Sequence, residues 1–279
     1  MSRIPVLTYH AMNVAGNDYL GNDHVALAQD LEQVTRRGFR IVPLHEVVAR
    51  WTREPGAFAG EKVVALSCDD GSDFDARDLP HPLAGTQRGF LNILSDFAAA
   101  HPGAQPGLHV TAFVIASPQA RAELDRTCMI GRGWWNDDWW PGAVATGRMG
   151  IANHSWDHNH PTLAGECLPG IPRGSFTVID SPAAADFQVS QAHAYIAAKA
   201  PSASTALFAY PNGEWNAFLA RAWLPREGAA LGLQAAFTIT PGYIEASSDR
   251  WTLPRFTCGH DWRSPEDLGR ILDEAARTA

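Results

Sequence analysis

One stretch decides the fold of this chain: Val63-Val64-Ala65-Leu66-Ser67-Cys68-Asp69-Asp70-Gly71. Its apolar, β-branched run predicts a buried strand, and two adjacent carboxylates and a glycine stand where that strand ends. Two interpretations of Asp69 and Asp70 are open at this point. Their side chains either make a simple turn, with Gly71 at a positive φ, or they belong to a functional site.

Strands and helices alternate on both sides of this stretch. Further strands are predicted over residues 4–9, 39–42, 109–116, 149–153, 206–209, 235–240 and 253–256. The helices between them are predicted to begin at an N-cap such as Asp23, Ser117, Ser181 or Ser264. Such alternation implies a parallel sheet, and no glycine-rich phosphate fingerprint follows the first strand. A single α/β barrel domain spanning residues 1–279 is therefore predicted.

Composition limits the classes of function. The chain has 279 residues, 46% of them hydrophobic, and 22 Lys and Arg against 30 Asp and Glu, a net charge of -8. No global field therefore attracts nucleic acid or an anionic membrane, and neither is an expected partner. The N-terminal apolar run is too short for a signal-peptide core or a membrane span, so a cytoplasmic location is expected. The four cysteines form no C-x-x-C pair, which argues against a zinc knuckle.

Six residues with chemically capable side chains stand just beyond the C-terminal ends of predicted strands. A parallel barrel gathers such residues at one rim, however far apart they are in sequence. They are His10, Asp69, Asp70, His154, His158 and Tyr210.

His154 and His158 have the spacing of a metal-binding pair. A helical turn would place both imidazoles on one side, where they can bind one divalent ion. Asp70 is the natural third ligand of a two-histidine, one-carboxylate site with open positions for water and substrate. Such a site suits hydrolysis. The alternative is a polar, exposed loop that also contains His160.

Three motifs resemble those of the polysaccharide deacetylases, the NodB-homology family also called carbohydrate esterase family 4. They are Cys68-Asp69-Asp70-Gly71, His154-Ser155-x-x-His158 and Phe208-Ala209-Tyr210-Pro211-Asn212-Gly213, in the family's order and spread over most of the chain. The resemblance implies a distorted (β/α)7 barrel and a divalent metal, usually zinc, that serves to hydrolyse an N-acetyl or related amide. It also implies that Asp69 is the general base and that Asp70, His154 and His158 bind the metal.

The third motif departs from the family, because Ala209 and Asn212 stand where many members have arginine and tyrosine. A backbone N–H of the turn Pro211-Asn212-Gly213 can still hold the oxygen on which charge develops. The usual arginine orients the base, and we expect Arg255, also at a strand end, to replace it through a charge-assisted hydrogen bond to Asp69. The alternative is a surface arginine that only flanks the strand.

The leaving amine needs an acid. The segment Val6-Leu7-Thr8-Tyr9-His10 resembles the N-terminal motif of the family's circularly permuted branch, in which a histidine after the first strand has this role. His10 is therefore the expected acid, and His260 is the second candidate. A core or capping role is the alternative for both.

A Trp-rich loop at about residues 131–142 stands outside the alternating pattern. Indole faces stack on sugar rings, so this loop is a candidate lid over a carbohydrate substrate. The alternative is that the loop folds back and buries its tryptophans. The predicted substrate contacts are Trp135, Asp137, Asp138 and Trp139 in the loop, and Tyr210, Pro211 and Asn212 in the third motif.

These features predict a metal-dependent deacetylase of an amino-sugar oligo- or polysaccharide. Two alternatives stay open: a hydrolase of a non-sugar or cyclic amide on the same barrel, and a carbohydrate-binding protein that has lost activity. A glycosidase is disfavoured, because adjacent carboxylates such as Asp69 and Asp70 seldom flank a glycosidic bond from opposite sides.

Overall fold

Most strands of this chain join one sheet. The computed structural model describes residues 2–54, 56–201 and 206–277. In chain order its strands are β1 (Ile4–Tyr9), β2 (Arg40–Ile41), β3 (Val63–Cys68), β4 (Leu79–His81), β5 (Gly85–Gln87), β6 (Val110–Val114), β7 (Met149–Asn153), β8 (Leu207–Ala209), β9 (Ala235–Phe237), β10 (Tyr243–Ile244) and β11 (Phe256–Thr257). β4 and β5 form a separate hairpin, which the sequence did not predict.

Helices alternate with the strands as predicted. They are α1 (Asp23–Arg36), α2 (Leu44–Arg53), α3 (Phe90–Ala100), α4 (Pro118–Cys128), α5 (Trp140–Ala145), α6 (Pro182–Ala185), α7 (Gln191–Lys199) and α8 (Pro265–Ala276). A π-helical segment, Asp186–Ser190, joins α6 to α7, and a second one spans Leu219–Gly228. Short 3-10 turns cover Asp73–Asp75, Phe176–Val178 and Pro211–Gly213.

Side-chain caps fix where several helices begin. The predicted serine caps are confirmed, since each accepts a hydrogen bond from a backbone N–H in the first turn; they are Ser117, Ser181 and Ser264. The prediction for α1 is wrong by one residue, because Asn22 is the cap. Asp23 instead accepts a hydrogen bond from the backbone N–H of His10 at 2.7 Å, so it ties the start of α1 to the end of β1.

Seven strands run parallel and curl into a barrel. Their order is β11-β1-β3-β6-β7-β8-β9. Residues 253–258, which include β11, contact both β9 and β1. The Leu253 N–H donates to the carbonyl oxygen of Ala236 in β9 at 2.9 Å, and the Cys258 N–H donates to that of Thr8 in β1 at 2.9 Å. The distorted α/β barrel predicted from the sequence is confirmed.

The distortion lies where β1 and β3 separate. β3 pairs with β1 only from Ala65 onward, whereas its first two residues pair with β2. The start of β1 pairs instead with β10, which runs antiparallel to it. The two strands stay together at their C-terminal ends, where Tyr9 lies opposite Cys68. The regular rim of the barrel is therefore the one that carries Asp69 and Asp70.

Apolar side chains pack on both faces of the parallel strands. Every residue of β1, β3, β6 and β7 is buried, as expected for a parallel sheet with helices outside it. Alternate residues divide between two clusters: Leu66 and Cys68 join the cluster that contains α1 and α3, whereas Ala65 joins Phe113 and Phe237. Among the described residues, no helix has the length and apolar character needed to cross a bilayer.

Substitution of Gly71 tests how tightly side chains pack at this rim of the barrel. Its φ is +78°, and a Cβ there would stand 2.5 Å from Cγ1 of Val114. Gly38 has a similar φ of +74° with nothing within 4 Å of its Cβ position, so it is a matched control. We expect Gly38→Ala to lower the unfolding free energy by about 1–2 kcal/mol through left-handed strain. Gly71→Ala should lose about 1–3 kcal/mol more through overpacking. Urea unfolding measures both, and equal losses would contradict the predicted clash.

Candidate active site

Three predicted metal ligands meet at the C-terminal rim. One ligand atom from each of Asp70, His154 and His158 lies within 4.8 Å of the other two. Oδ1 of Asp70 is 3.7 Å from Nε2 of His154 and 3.9 Å from Nε2 of His158. Asp70 follows β3 and His154 follows β7, so parallel strands bring together residues 84 positions apart in sequence (154 minus 70).

Hydrogen bonding orients His154. Its backbone N–H donates to the carbonyl oxygen of Val114 at 3.0 Å, which continues the ladder between β6 and β7. Its Nδ1 lies 2.9 Å from the carbonyl oxygen of Ala209. Because a carbonyl only accepts, Nδ1 must carry the proton, and the lone pair of Nε2 faces Asp70. Burial also lowers the pKa of His154, which favours the neutral imidazole that a metal requires.

His158 approaches the same point from an irregular loop. The sequence predicted a helical turn between the two histidines, and this detail is wrong. Ser155, His158 and Asn159 all have positive φ angles, of 72°, 63° and 44°. The Ser155 hydroxyl accepts a hydrogen bond from the His158 N–H at 2.9 Å, so the side chain within the motif holds the loop closed. Burial lowers the pKa of His158 to about 3.

Asp157 anchors this loop from behind. Its carboxylate accepts hydrogen bonds from Nε2 of Gln188 at 2.6 Å and from Nη1 of Arg173 at 2.9 Å. Gln188 belongs to the π-helical segment, a class of local structure that often occurs at functional sites. The sequence does not predict a role for these three residues, because nothing in the chain's periodicity reveals a π-helical turn or its partner.

Asp69 is held by Arg255. The guanidinium binds both carboxylate oxygens, Nη1 to Oδ1 and Nη2 to Oδ2, each at 2.7 Å. Both side chains are buried, with 0% and 4% exposure. The Nε–H of Arg255 donates to the carbonyl oxygen of Thr238 at 3.0 Å, and its guanidinium lies 5.3 Å from the ring centroid of Phe113. The expected contact between Arg255 and Asp69 is present, and the surface alternative does not fit a fully buried arginine.

The charges around Asp69 settle its protonation state. Burial raises the pKa of Asp69, but the adjacent charge of Arg255 outweighs that effect and holds the pKa well below its ordinary range. Asp69 is therefore a carboxylate at any pH near neutrality.

A second buried carboxyl group, that of Asp75, lies near the candidate ligands. Asp75 is fully buried, and its carboxyl group interacts with the thiol of Cys68. Burial raises its pKa, and the charge of Asp70 raises it further. Arg255 is occupied by Asp69, and the two histidines are neutral. No protein group among these neutralises the negative charge of Asp70, so a bound cation would be stabilised there. The donor set of one carboxylate and two imidazoles fits a divalent transition metal such as zinc.

His10 lines an open cleft of about 610 Å³. It directly follows Tyr9, whose carbonyl oxygen accepts the N–H of Asp69 at 3.1 Å. Its Nδ1 is buried without a hydrogen-bond partner among the described residues. The cleft also contacts Asp23, Thr257 and His260. His260 is 83% exposed and pairs with Asp261 at 2.9 Å, so it stands further into solvent than His10.

The third motif forms a tight turn beside the ligands. Tyr210 is fully buried, and its hydroxyl donates to the carbonyl oxygen of Trp251 at 2.9 Å. Pro211 has no N–H, and the Gly213 N–H donates to Tyr210 O at 2.8 Å. Asn212 has a left-handed φ of 54°. Of the two N–H groups in this turn, that of Asn212 has no acceptor among the described residues and is available to an external acceptor.

The Trp-rich loop is folded inward. Trp135, Trp139 and Trp140 are buried and belong to hydrophobic clusters. Asp137 accepts hydrogen bonds from Arg121 and from the hydroxyl of Tyr195, both at 2.6 Å. Asp138 pairs with Arg77 at 2.7 Å. This placement favours the packing alternative for the loop, and substrate contact by its residues stays a prediction.

Comparison with known proteins identifies the fold. No family model matches the chain, and no curated protein matches it. The structure is similar to Streptococcus pyogenes deacetylase PplD in complex with acetate, with a TM-score of 0.63 and 19% identity over 97% of this chain and 98% of that one. It is also similar to IcaB from Ammonifex degensii, with a TM-score of 0.63 and 16% identity over 99% of this chain and 98% of that one.

A third similar structure is a de-N-acetylase from Aggregatibacter actinomycetemcomitans. Its TM-score is 0.59, at 14% identity over 95% of this chain and 99% of that one. At these identities the similarity establishes the fold. The resemblance to the polysaccharide deacetylases that three sequence motifs indicated is therefore confirmed at that level.

The variant Arg255→Gln tests how much the buried ion pair between Arg255 and Asp69 contributes to stability. It leaves the Asp69 carboxylate buried and unpaired, so we expect the unfolding free energy at pH 7 to fall by about 3–5 kcal/mol. Because Arg255 holds the folded-state pKa of Asp69 below its unfolded value of about 3.9, the pair stabilises the protein above that pH and loses its effect as pH falls further.

The two proteins should therefore approach each other in stability below about pH 4. Urea unfolding at pH 7 and pH 2.5 measures this, because the pair keeps most of its effect until pH falls toward the folded-state pKa of Asp69. Arg126→Gln, which removes an exposed arginine paired with Glu123, is the control and should change little. A stability gap between wild type and Arg255→Gln that does not narrow on acidification would contradict the argument.

Proposed function

We propose that this chain, which has the fold of the polysaccharide deacetylases, is a metal-dependent hydrolase that removes N-acetyl groups from an amino-sugar oligo- or polysaccharide. One observation carries the proposal. An ionised Asp69, clamped by Arg255, stands next to a three-ligand cluster suited to a divalent ion. A base and a metal site side by side are the two parts that amide hydrolysis by water requires.

Asp70, His154 and His158 are the proposed metal ligands, and zinc is the proposed ion. When bound there, the ion supplies Lewis acidity for the amide carbonyl and lowers the pKa of a water molecule. The fixed Nδ1 proton of His154 keeps its Nε2 available as a ligand. The contact of the Ser155 hydroxyl with the His158 backbone positions the third ligand.

Asp69 is the proposed general base. Its two oxygens are fixed by Arg255, so the carboxylate cannot rotate away from the water that attacks the carbonyl carbon. Its low pKa keeps it ready to accept a proton at neutral pH. The same low pKa makes Asp69 a weak base on its own, so a metal ion held by Asp70, His154 and His158 would have to supply the acidity of the water.

Two further groups complete the proposed reaction. The Asn212 N–H lies in the tight turn beside the ligands and is the proposed donor to the carbonyl oxygen as negative charge develops on it. His10, which lines the open cleft and follows the residue that is hydrogen-bonded to Asp69, is the proposed acid that protonates the departing amine. The sugar attached to that amine would then extend into the cleft.

The inward fold of the Trp-rich loop affects which class of substrate is proposed. Trp135 and Trp139 are buried, so neither offers a free indole face for stacking on a sugar. This observation favours keeping a hydrolase of a small non-sugar or cyclic amide as the second candidate. The case for an inactive carbohydrate-binding protein was the missing third-motif arginine, and the contact of Arg255 with Asp69 removes that argument.

Acetate release tests the proposed activity. Zn²⁺-loaded protein should release acetate from N-acetylglucosamine oligomers, and removal of the metal by a chelator should abolish the release.

Asp69→Asn should keep one bound Zn²⁺ and lose roughly 100-fold or more in rate, as expected for a lost general base. Acetate production by Asp69→Asn at the wild-type rate would exclude Asp69 from this role. Amine formation from a small cyclic amide, with no acetate from any oligomer, would favour the second candidate.

The general acid is tested by a histidine pair at the same cleft. His10→Ala should lower kcat on N-acetylated oligomers by roughly 100-fold while Zn²⁺ content is unchanged. His260→Ala, at the exposed side of the cleft, should leave kcat close to wild type. The reverse outcome, with full activity in His10→Ala and loss in His260→Ala, would assign the acid to His260.

A further inference from the structure

We propose that Trp135 is a positioning residue for the metal ligand Asp70, and that the Trp-rich loop supports the metal site instead of covering a substrate. The inference rests on the proposed function, because it takes Asp70 as a ligand. It assigns to the loop a role that differs from the lid expected from its sequence.

The contact is between the indole and the backbone of the ligand. Nε1 of Trp135 donates a hydrogen bond to the carbonyl oxygen of Asp70 at 3.0 Å. The same oxygen accepts the N–H of Ile115 at 3.2 Å. Two donors therefore hold the peptide group that follows Asp70, one from the neighbouring strand segment and one from the loop.

That peptide group needs support because Asp70 is strained. Its φ of 76° is in the left-handed region, which side-chain-bearing residues seldom adopt. The direction of the Asp70 carboxylate depends on this backbone conformation. A change in the peptide orientation would move Oδ1 away from the two imidazoles, and a metal ligand must be held within about 0.5 Å of its productive position.

Trp135 is itself rigidly held. Its ring is 92% buried (100 minus 8) and packs with Ile115, Ala120 and Leu124. Its own carbonyl oxygen accepts a hydrogen bond from Nη1 of Arg121 at 3.1 Å. The indole N–H therefore has a fixed position from which to hold Asp70.

The next residue fastens the loop to the chain beyond the ligand. Asn136 donates twice to Asp73, from its backbone N–H at 2.7 Å and from Nδ2 at 2.9 Å. The Asp73 N–H donates in return to the carbonyl oxygen of Trp134 at 3.0 Å. Residues 134–136 thus contact Asp70 and Asp73 together, and the loop and the segment after β3 form one unit.

Trp139 provides a matched comparison within the same loop. It is as buried as Trp135, at 5% exposure, but its Nε1 has no hydrogen-bond partner within the described residues. Replacement of either residue by phenylalanine removes a similar amount of ring. Only the replacement of Trp135 removes a hydrogen bond to Asp70.

The test compares Trp135→Phe with Trp139→Phe. Each protein is stripped of metal and titrated with Zn²⁺, and the Co²⁺ form is examined by visible absorption. We expect Trp135→Phe to bind Zn²⁺ about 10–100-fold more weakly, the usual effect of losing a partner outside the ligand sphere. Its Co²⁺ bands should shift, because the ligand geometry changes. Trp139→Phe should match wild type in both measurements, even if its melting temperature falls.

Equal Zn²⁺ affinity and equal Co²⁺ spectra in Trp135→Phe and wild type would overturn the inference while leaving the proposed function intact. Failure of the wild-type protein to bind either metal would overturn both. Should Trp135→Phe not fold, Asn136→Ala decides the question, since it loosens the loop at an exposed side chain. A weaker affinity for Zn²⁺ in that variant would support the inference, and an unchanged affinity would overturn it.

Discussion

The buried ion pair between Asp69 and Arg255 is the constraint on which this site depends. Two charges removed from water cost several kcal/mol each, and only near-ideal geometry offsets that cost. The pair has such geometry, with two 2.7 Å contacts. It also connects the end of β3 to residues 253–258, the segment that contacts both β9 and β1. The contact that fixes the candidate base is therefore also one that closes the barrel, so chemistry and fold share one interaction.

Charge balance then explains the surroundings of the pair. The single positive charge of Arg255 is paired with Asp69, so it does not neutralise Asp70. Burial keeps both candidate histidine ligands neutral, and burial together with the charge of Asp70 raises the pKa of Asp75, so none of these groups supplies a positive charge for Asp70. A rim built in this way is short of positive charge at the point where the ligand atoms converge. A divalent cation is the group that would satisfy it, which is the physical basis for proposing a metal centre.

Much of this arrangement could be predicted because it follows from local pattern. The apolar run before Asp69 indicated β3, and alternation of strands and helices indicated a parallel barrel with its site at one rim. Other features depend on contacts between distant segments. The hold of Gln188 on Asp157 requires a π-helical turn, and the turn between His154 and His158 relies on left-handed residues, neither of which periodicity reveals. The sequence predicted that the loop tryptophans stack on a sugar, because composition does not show which side chains a ring packs against.

The third motif shows why position in space matters more than position in sequence. Ala209 stands where many polysaccharide deacetylases have an arginine, yet a guanidinium still reaches both oxygens of Asp69 from Arg255. β8 and residues 253–255 both border β9, so either can direct a side chain toward the end of β3. A barrel rim offers several starting points for the same contact, whereas the carboxylate accepts one bidentate partner in this geometry. The constraint is thus on the contact, and the strand that supplies it is free to change.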